Sequence, residues 1–594
     1  PRPAAPGATP GPAPGAAPAA AQPQQPPMTP EARAAMVVRQ YAQEIMKSLR
    51  DGHLPFFLET ERFVVEITRS FKPTFEQQLQ HMVAAHISTL TDKDVAAPVP
   101  AELAEAIEKD LLGLLETVEQ QLEQDKQRGQ AAKEAVQVAA ALAEHRPLLA
   151  KDFFKGKGGA YPNATYKDLY LTLRKWQVAM RRQVARAAEP KQLELLSRAL
   201  AESKGTQMEI PGQYLTLDEP RPEQHVKVDR VLPDLELADY NLACHRRITI
   251  RGNDSKLYHF IIEATGAAIA SSDERTLQVC QLMNRCMVKE KQARRRHMKL
   301  HVRPIIGLAP RCRLVADDPQ SMSLMQMLDQ YLAAQGQTSD GVALKFAEQV
   351  QAFARTQQDP KMAAMNEVSD KLPETVALNY IRAIIPSNAH LWSFRKQLAV
   401  QYACLALVSH ALFIPAPSPT RLVFSQLQGD VSLAGAAPSF NKEITRMQDS
   451  NERMPFRMTR MLTTLLSPVG LEGGFSAAMG AAAMSLANPK RAVKYHLCAI
   501  LREEMLALAR QGPNPPTAVQ EQQQGKMVFR NASACADQVM QRVTALSPVT
   551  ALPDKDDKSG EAPQPINAKV IELIMAAANP VEQINMPCLW HPWA

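Results

Sequence analysis

Side chains that could take up a proton, hold a metal ion or act as a nucleophile are sparse in this chain and sit in a few places. From Leu405 to Val431 the only carboxylate is Asp430, and there is no Asn. Two further acids, Asp317 and Asp318, stand side by side. The densest basic run, Lys289-Glu-Lys-Gln-Ala-Arg-Arg-Arg-His-Met-Lys299, reads as a solvated helix end diluted by Glu290 rather than as a nucleic-acid patch. His591 lies between Trp590 and Trp593 with no second ligand residue nearby, so a packing role is expected and no metal site. The 8 cysteines form no C-x-x-C pair and no disulfide framework, which points to a reducing compartment and to no zinc centre.

The elements that must position these residues are mostly helices. Thr74 followed by Gln77 is a capping box for a helix carrying Phe75, Leu79 and Met82 on one face. Leu103, Ile107, Leu111, Leu114, Val118 and Leu122 recur at helical spacing, and so do Leu169, Leu173, Trp176 and Met180 in a helix starting near Asn163 or Thr165. Breaks at Pro98-Val-Pro100 and Gly156-Lys-Gly-Gly159 separate them into a bundle or the end of a helical solenoid. Strand alternation follows in Arg247-Ile-Thr-Ile250 and Leu257-Tyr-His-Phe-Ile-Ile262, with a turn between them that makes a hairpin. The most apolar stretch, Leu398 to Ile414, is interrupted by Gln401, Ser409 and His410. It is too short to span a bilayer, which takes about 20 residues, and reads as a buried core helix.

The chain has 594 residues, 45% of them hydrophobic and 5% aromatic, ample for several cores and weighted towards helix. Its 68 basic and 61 acidic residues are too balanced to argue for nucleic acid. The chain opens on Pro1 rather than Met, and the first 30 residues are rich in Pro, Ala, Gly and Gln. They are expected to form a disordered linker in the C-terminal piece of something longer. Polar, Pro-bearing stretches at Gln511–Gln524 and Pro553–Asn567 are expected as exposed linkers.

Several motifs together resemble the phosphatidylinositol 3-kinase-related kinase (PIKK) family. Arg453-Met-Pro-Phe-Arg-Met-Thr-Arg-Met-Leu462 is similar to the helix start that follows the activation segment in these kinases. Tyr161 to Trp176, Glu209-Ile-Pro-Gly-Gln-Tyr-Leu215, Arg313-Leu-Val-Ala-Asp-Asp-Pro319, Trp392-Ser-Phe-Arg-Lys396 and the Trp-His-Pro-Trp ending resemble its pseudokinase branch more than its active members. The resemblance implies an α+β, mostly α, architecture. It consists of a linker at 1–30, a FAT-end and rapamycin-binding-like helical bundle at 31–205, a two-lobed PI3/PI4-kinase-like domain at 206–550, a linker at 551–566 and a FATC tail at 567–594. Pro304 to Leu314 would be hinge-like.

In a working member, an Asp accepts the substrate proton, while an Asn and a second Asp hold magnesium and a strand lysine pairs with the phosphates. Aligned on the anchor, the loop falls on Phe413 to Leu422, with Ala416 at the base, Ser418 at the loop histidine and Arg421 at the Asn. Ala434 stands at the metal-binding Asp, and Glu263, in Phe260-Ile-Ile-Glu263, at the lysine. The expectation is a catalytically inactive domain with no cofactor, no metal and poor ATP binding, in which Phe456, Arg457, Trp590 and Trp593 are structural. The family further implies a nuclear scaffold of histone acetyltransferase coactivator complexes of the SAGA type. Its partners would be transcriptional activators and acetyltransferase-complex subunits, with no direct nucleic acid and no membrane, and roles in transcription regulation, chromatin organisation and DNA repair. The alternatives are an active serine/threonine kinase with displaced groups, for which Asp317, Asp318 and Asp430 are the candidates, and a lipid module built on the aromatic tail.

Overall fold

The computed structural model describes residues 30–594 except 92, 128–131, 157–158, 188–191, 217–220, 267, 355–358, 442–445, 449–453, 511–517 and 548–566. The linker expected at 551–566, and that at 1–30 apart from Pro30, lie outside the described residues.

The chain is mostly helical with one main antiparallel sheet, the α+β class that the sequence implies. It begins with helices α1 (Pro30–Gly52), α2 (Leu54–Ser70), α3 (Phe75–Leu90), α4 (Ala101–Gln127), α5 (Ala132–Phe153) and α6 (Tyr166–Ala187). The α3 capping box forms: Thr74 Oγ1 accepts from the Gln77 N–H, and Gln77 Oε1 accepts from the Thr74 N–H. The periodic residues Leu79, Leu111, Leu114, Leu173 and Trp176 belong to one buried cluster. This apolar cluster does not stop at the bundle. It continues through Leu328, Phe346, Val368 and Trp593, so the bundle and these later parts of the chain share one core.

Three short helical turns, α7 (Leu193–Leu196), α8 (Arg198–Ala201) and α9 (Gln213–Thr216), lead into the main sheet. Its strands are β1 (Val228–Val231), β2 (Glu236–Tyr240), β3 (Ala243–Gly252), β4 (Leu257–Ala264), β5 (Ile305–Ala309) and β6 (Cys312–Asp317), in the order β1-β3-β4-β6-β5 with β2 also paired to β3. The β3–β4 hairpin read from alternation is present, with Ile248 opposite Phe260. The stretch expected as a hinge is instead the β5–β6 hairpin, turning after Ala309. Two runs of alternating apolar residues flanking a Pro-Arg turn favour pairing over an open connection. Strand alternation splits the sheet. Phe260, Ile262 and Leu314 face Phe63 and Ile67 of α2, while Ile261 and Val315 face the other way.

Helices α10 (Ser272–Lys289) and α11 (Lys291–Arg295) separate β4 from β5. The larger helical part contains α12 (Leu324–Ala333), α13 (Ser339–Phe353), α14 (Pro360–Lys371), α15 (Val376–Ile384), α16 (Asn388–Ala411), α17 (Arg460–Leu466), α18 (Ser476–Ala487), α19 (Val493–Arg510), α20 (Ala518–Leu546), α21 (Asn567–Ala578) and α22 (Pro580–Asn585). A small sheet, β7 (Ser321–Ser323), β8 (Leu422–Ser425) and β9 (Val431–Leu433), sits between them. Helix α16 is buried on nearly every side from Leu398 onward. Its buried Gln401 is satisfied, accepting from the His301 N–H at 2.8 Å and donating to the Lys299 carbonyl at 2.6 Å. The linker expected at Gln511–Gln524 is corrected over 518–524, because α20 already begins at Ala518; its residues 511–517 lie outside the described residues. The prolines end at Pro516, and the Ala, Gln, Glu and Lys beyond it are strong helix formers.

Gly429 shows how closely the β8–β9 turn is fitted to α16. Its φ is +75°, and a Cβ there would stand 2.6 Å from the Phe394 carbonyl oxygen. Gly429→Ala is expected to cost about 1–3 kcal/mol, read as a lowered denaturation midpoint without a change in the denaturant slope.

Candidate functional site

The inner face of the main sheet, the small sheet, the 415–421 loop and helices α3 and α6 enclose a cavity of about 750 Å³. Ala416, Ser418, Arg421 and Ala434 all line it. The loop enters from α16 through Phe413, whose φ of 56° is a left-handed conformation unusual for a bulky residue. Its carbonyls are then fixed one after another. Ala416 O accepts from Trp590 Nε1 at 3.1 Å, Pro417 O from Arg457 Nη1 at 3.0 Å, and Pro419 O from the Met325 N–H at 3.1 Å. The Ala416 side chain is buried against Met454 and Trp590, so no oxygen donor faces the cavity there. Arg421 donates from Nη2 to Ser88 Oγ of α3 at 2.8 Å, and its carbonyl accepts from the Ala434 N–H at 2.9 Å.

Glu263 is elsewhere. It shares the sheet face of Ile261 and Val315 but is not a lining residue, because it is buried against its cross-strand partner Arg313. Arg313 Nε donates to Glu263 at 2.8 Å, and its two Nη atoms donate to the two Asp273 oxygens at 2.8 and 2.7 Å, a bidentate pair at the start of α10. Glu263, expected at the position of the phosphate-pairing lysine, is thus not a bare charge, since Arg313 is paired with it. Burial raises the Glu263 pKa and Arg313 pulls it down. The sequence contains both residues, but the pairing joins strands 50 positions apart and leaves no local signal.

The other acids are also engaged. Asp317 bonds Arg247 at 2.7 Å and lies 3.7 Å from Arg303. Asp430 lies 3.5 Å from His301 Nδ1 and accepts from Gln397, and Asp318 caps its own turn through the Gln320 N–H. No group of three or more His, Cys, Asp or Glu among the described residues is placed to hold a metal ion.

Helices α3 and α6 are joined to both sides of the cavity. Gln177 donates to the Leu242 carbonyl, Gln80 accepts from the Cys244 N–H, and Tyr170 and Arg174 both donate to Asp340 of α13. Where α3 meets β3, the His81 and His245 rings lie 4.9 Å apart, and burial pushes their pKa values down to about 4 and about 3.

The chain end closes the site from below. Arg457 is fully buried, and its guanidinium reaches the carbonyls of Ala594 (2.7 Å), His591 (2.6 Å), Trp590 (2.9 Å) and Pro417 (3.0 Å). It also lies 4.0 Å from the Trp590 ring centroid. Burial pushes its pKa down to about 9, against which the nearby Tyr402 acts. Tyr402 donates to the Arg457 carbonyl, while Phe456 packs on Phe475. Trp593 is fully buried, its ring 5.4 Å from that of Phe346. His591, held at a φ of 55°, has its pKa pushed down to about 4 by burial.

A sheet lobe and a helical lobe around such a cleft define a kinase-like architecture, and residues 270–509 match the family model described as phosphatidylinositol 3- and 4-kinase. The chain carries a PI3/PI4-kinase domain. The curated relatives it resembles include proteins of the Tra1/TRRAP kind. It is 26% identical over 75% of its length to the SAGA complex/NuA4 acetyltransferase complex subunit Tra1 of Schizosaccharomyces pombe, covering 12% of that protein. It is 25% identical over 65% of its length to the transformation/transcription domain-associated protein of Homo sapiens, covering 10%. It is 23% identical over 79% of its length to the SAGA complex/NuA4 acetyltransferase complex subunit TRA1 of Saccharomyces cerevisiae, covering 12%. The chain thus spans only about a tenth of these relatives. The solved structure described as the complete CtTel1 dimer with C2 symmetry aligns over 87% of this chain and 18% of its own, at 12% identity and a TM-score of 0.44, too slight a likeness to carry an argument.

Two stability tests rest on the buried cations. Arg313→Met leaves Glu263, Asp273 and Glu274 facing one another, at an expected cost of about 3–5 kcal/mol near neutral pH. With the cation gone, the Glu263 and Glu274 pKa values, already raised by burial, stand further above their unfolded values, so stability falls as pH rises through them. Urea titrations are expected to show the deficit shrinking from about pH 8 to about pH 5. Arg457→Met strands several buried carbonyls, each worth about 1–3 kcal/mol, and removal of residues 586–594 forfeits the burial of the Trp590 and Trp593 indoles, at about 2–3 kcal/mol each. Both variants are expected to melt earlier. Combined, they are expected to cost little more than the larger single change, because both remove one shared unit.

Proposed function

We propose that this chain is the carboxy-terminal, kinase-shaped but catalytically silent portion of a transcription-coactivator scaffold. The observation that carries the reading is the chemistry lining the cleft. Where the family resemblance puts the base, the Asn and the metal-binding Asp stand Ala416, Arg421 and Ala434, all lining one cavity. The residues present do not fit magnesium and a triphosphate. Between Leu405 and Val431 the lone carboxylate, Asp430, faces His301 and Gln397. Asp317 is committed to arginines, and Glu263, at the position of the phosphate-pairing lysine, is an acid already matched by Arg313. The opposing reading, an active kinase using Asp317, Asp318 and Asp430, is disfavoured by those separate engagements.

The relatives named as SAGA/NuA4 acetyltransferase complex subunits support the assembly part of the reading. On it the full protein is nuclear, and its FAT-end bundle, pseudokinase domain (206–550) and FATC tail serve protein–protein contacts between transcriptional activators and acetyltransferase modules. No helix among the described residues is long and apolar enough to cross a membrane.

Affinity purification of the full-length protein is expected to recover acetyltransferase subunits; recovery of none would overturn the assembly reading. The silent reading is tested by restoring the chemistry through Glu263→Lys, Ala416→Asp, Arg421→Asn and Ala434→Asp together. A general base alone is worth about 10²–10⁴ in rate, but Pro415, Pro417 and Pro419 fix the loop dihedrals and its carbonyls are held by Trp590, Arg457 and Met325. The lysine would also face Arg313. The variant is expected to phosphorylate neither peptide nor protein. Metal-dependent phosphorylation that vanishes when position 416 is returned to Ala would contradict a long-remodelled loop.

A further inference from the structure

The buried arginines among the described residues are Arg313, Arg395 and Arg457. Arg313 is matched by carboxylates and Arg457 by carbonyls. Arg395 of α16 is matched by nothing. It is 7% exposed, its Nε is buried without a partner, and no hydrogen bond or ion pair engages it among the described residues. The one charge that perturbs it is repulsive, from Arg382 in the last turn of α15. Only Nε of its three nitrogens is sealed off, so the two Nη ends of the fork face the surface.

The surroundings of Arg395 extend this pattern. Asn388, Trp392 and Arg395 fall at i, i+4 and i+7, one stripe of the helix. Trp392 is 42% exposed, with the Lys396 ammonium 5.3 Å from its ring centroid. The first turn of α16 has no acid, and Ser387 makes no side-chain cap, so the positive end of the helix adds to the same field.

We propose that this stripe, with Arg382 beside it, is a docking site for an acidic segment of a partner protein. A carboxylate pairs with the Arg395 fork while an apolar side chain lies on Trp392. The forked guanidinium suits a single planar carboxylate, and a half-exposed Trp beside an Arg is the composition of a protein-interface centre. Duplex nucleic acid instead calls for a row of projecting cations along successive phosphates, and here the central cation is recessed. The proposal goes beyond the scaffold reading and does not depend on the absence of catalysis.

The test uses the full chain and a short fluorescein-labelled peptide of alternating Asp and Phe. Controls are the same peptide with Asn for Asp and a labelled DNA duplex. The acidic peptide is expected to bind in a salt-sensitive manner, and the Asn peptide and the duplex are not. Arg395→Gln, Arg382→Gln and Trp392→Ala are each expected to weaken binding about tenfold or more. In the free chain, Arg395→Leu is expected to leave the melting temperature unchanged or raised, since it removes an unpaired buried charge. Binding that survives Arg395→Gln and Arg382→Gln, equal binding of the Asn peptide, preferential binding of the duplex through these residues, or a melting temperature lowered by several degrees in Arg395→Leu would overturn the proposal.

Discussion

A guanidinium taken out of water is costly unless every donor is used, and Arg457 uses its donors to join three parts of the chain. Its carbonyl partners belong to the 415–421 loop through Pro417 and to the chain end through Trp590, His591 and Ala594. Trp590 completes the circuit by donating to Ala416, the residue on the other side of the same loop peptide. The 415–421 loop, which the family resemblance places at the catalytic loop of a kinase, is fixed by its backbone to the tail. The left-handed backbone at Phe413 and at His591 is the local strain that this arrangement tolerates.

On the proposed reading, the same use of charged groups for structure recurs on the sheet. An acid stands on β4, the cation has its place on the neighbouring β6, and Asp273 on α10 accepts it bidentately. The ion pairs still couple the sheet to α10, but none of their members lines the cavity except Asp273. Helices α3 and α6 bond to both walls through Arg421–Ser88, Gln177–Leu242 and Arg174–Asp340, which makes the cleft a joint between lobes and bundle. Buried polar pairs are weak sources of net stability and strong sources of geometric definition, and fixed geometry is what a surface for partners requires.

Much of this was legible in the residues because the signals were local. The Thr74–Gln77 box, the apolar stripes of α3, α4 and α6, the β3–β4 hairpin and the burial of α16 each follow from a spacing of a few positions. The grouping of Ala416, Ser418, Arg421 and Ala434, which all line one cavity, came from the family resemblance and not from spacing. What escaped was non-local or depended on context. Glu263 looks like a bare charge until Arg313 is placed opposite it, and Arg395 looks like an ordinary surface arginine in Trp392–Lys396 until its burial is known. Residues 518–524 misled because their glutamines, following a run of prolines, read as a linker, whereas glutamine is a good helix former once the prolines end.

The central claim is that the cleft has kept a kinase outline without the groups that hold a metal-bound triphosphate. Isothermal titration of the folded chain with magnesium and ATP tests it most directly. The account predicts no metal-dependent binding and at most a weak, millimolar interaction that is indifferent to magnesium. Micromolar binding that requires magnesium would contradict it.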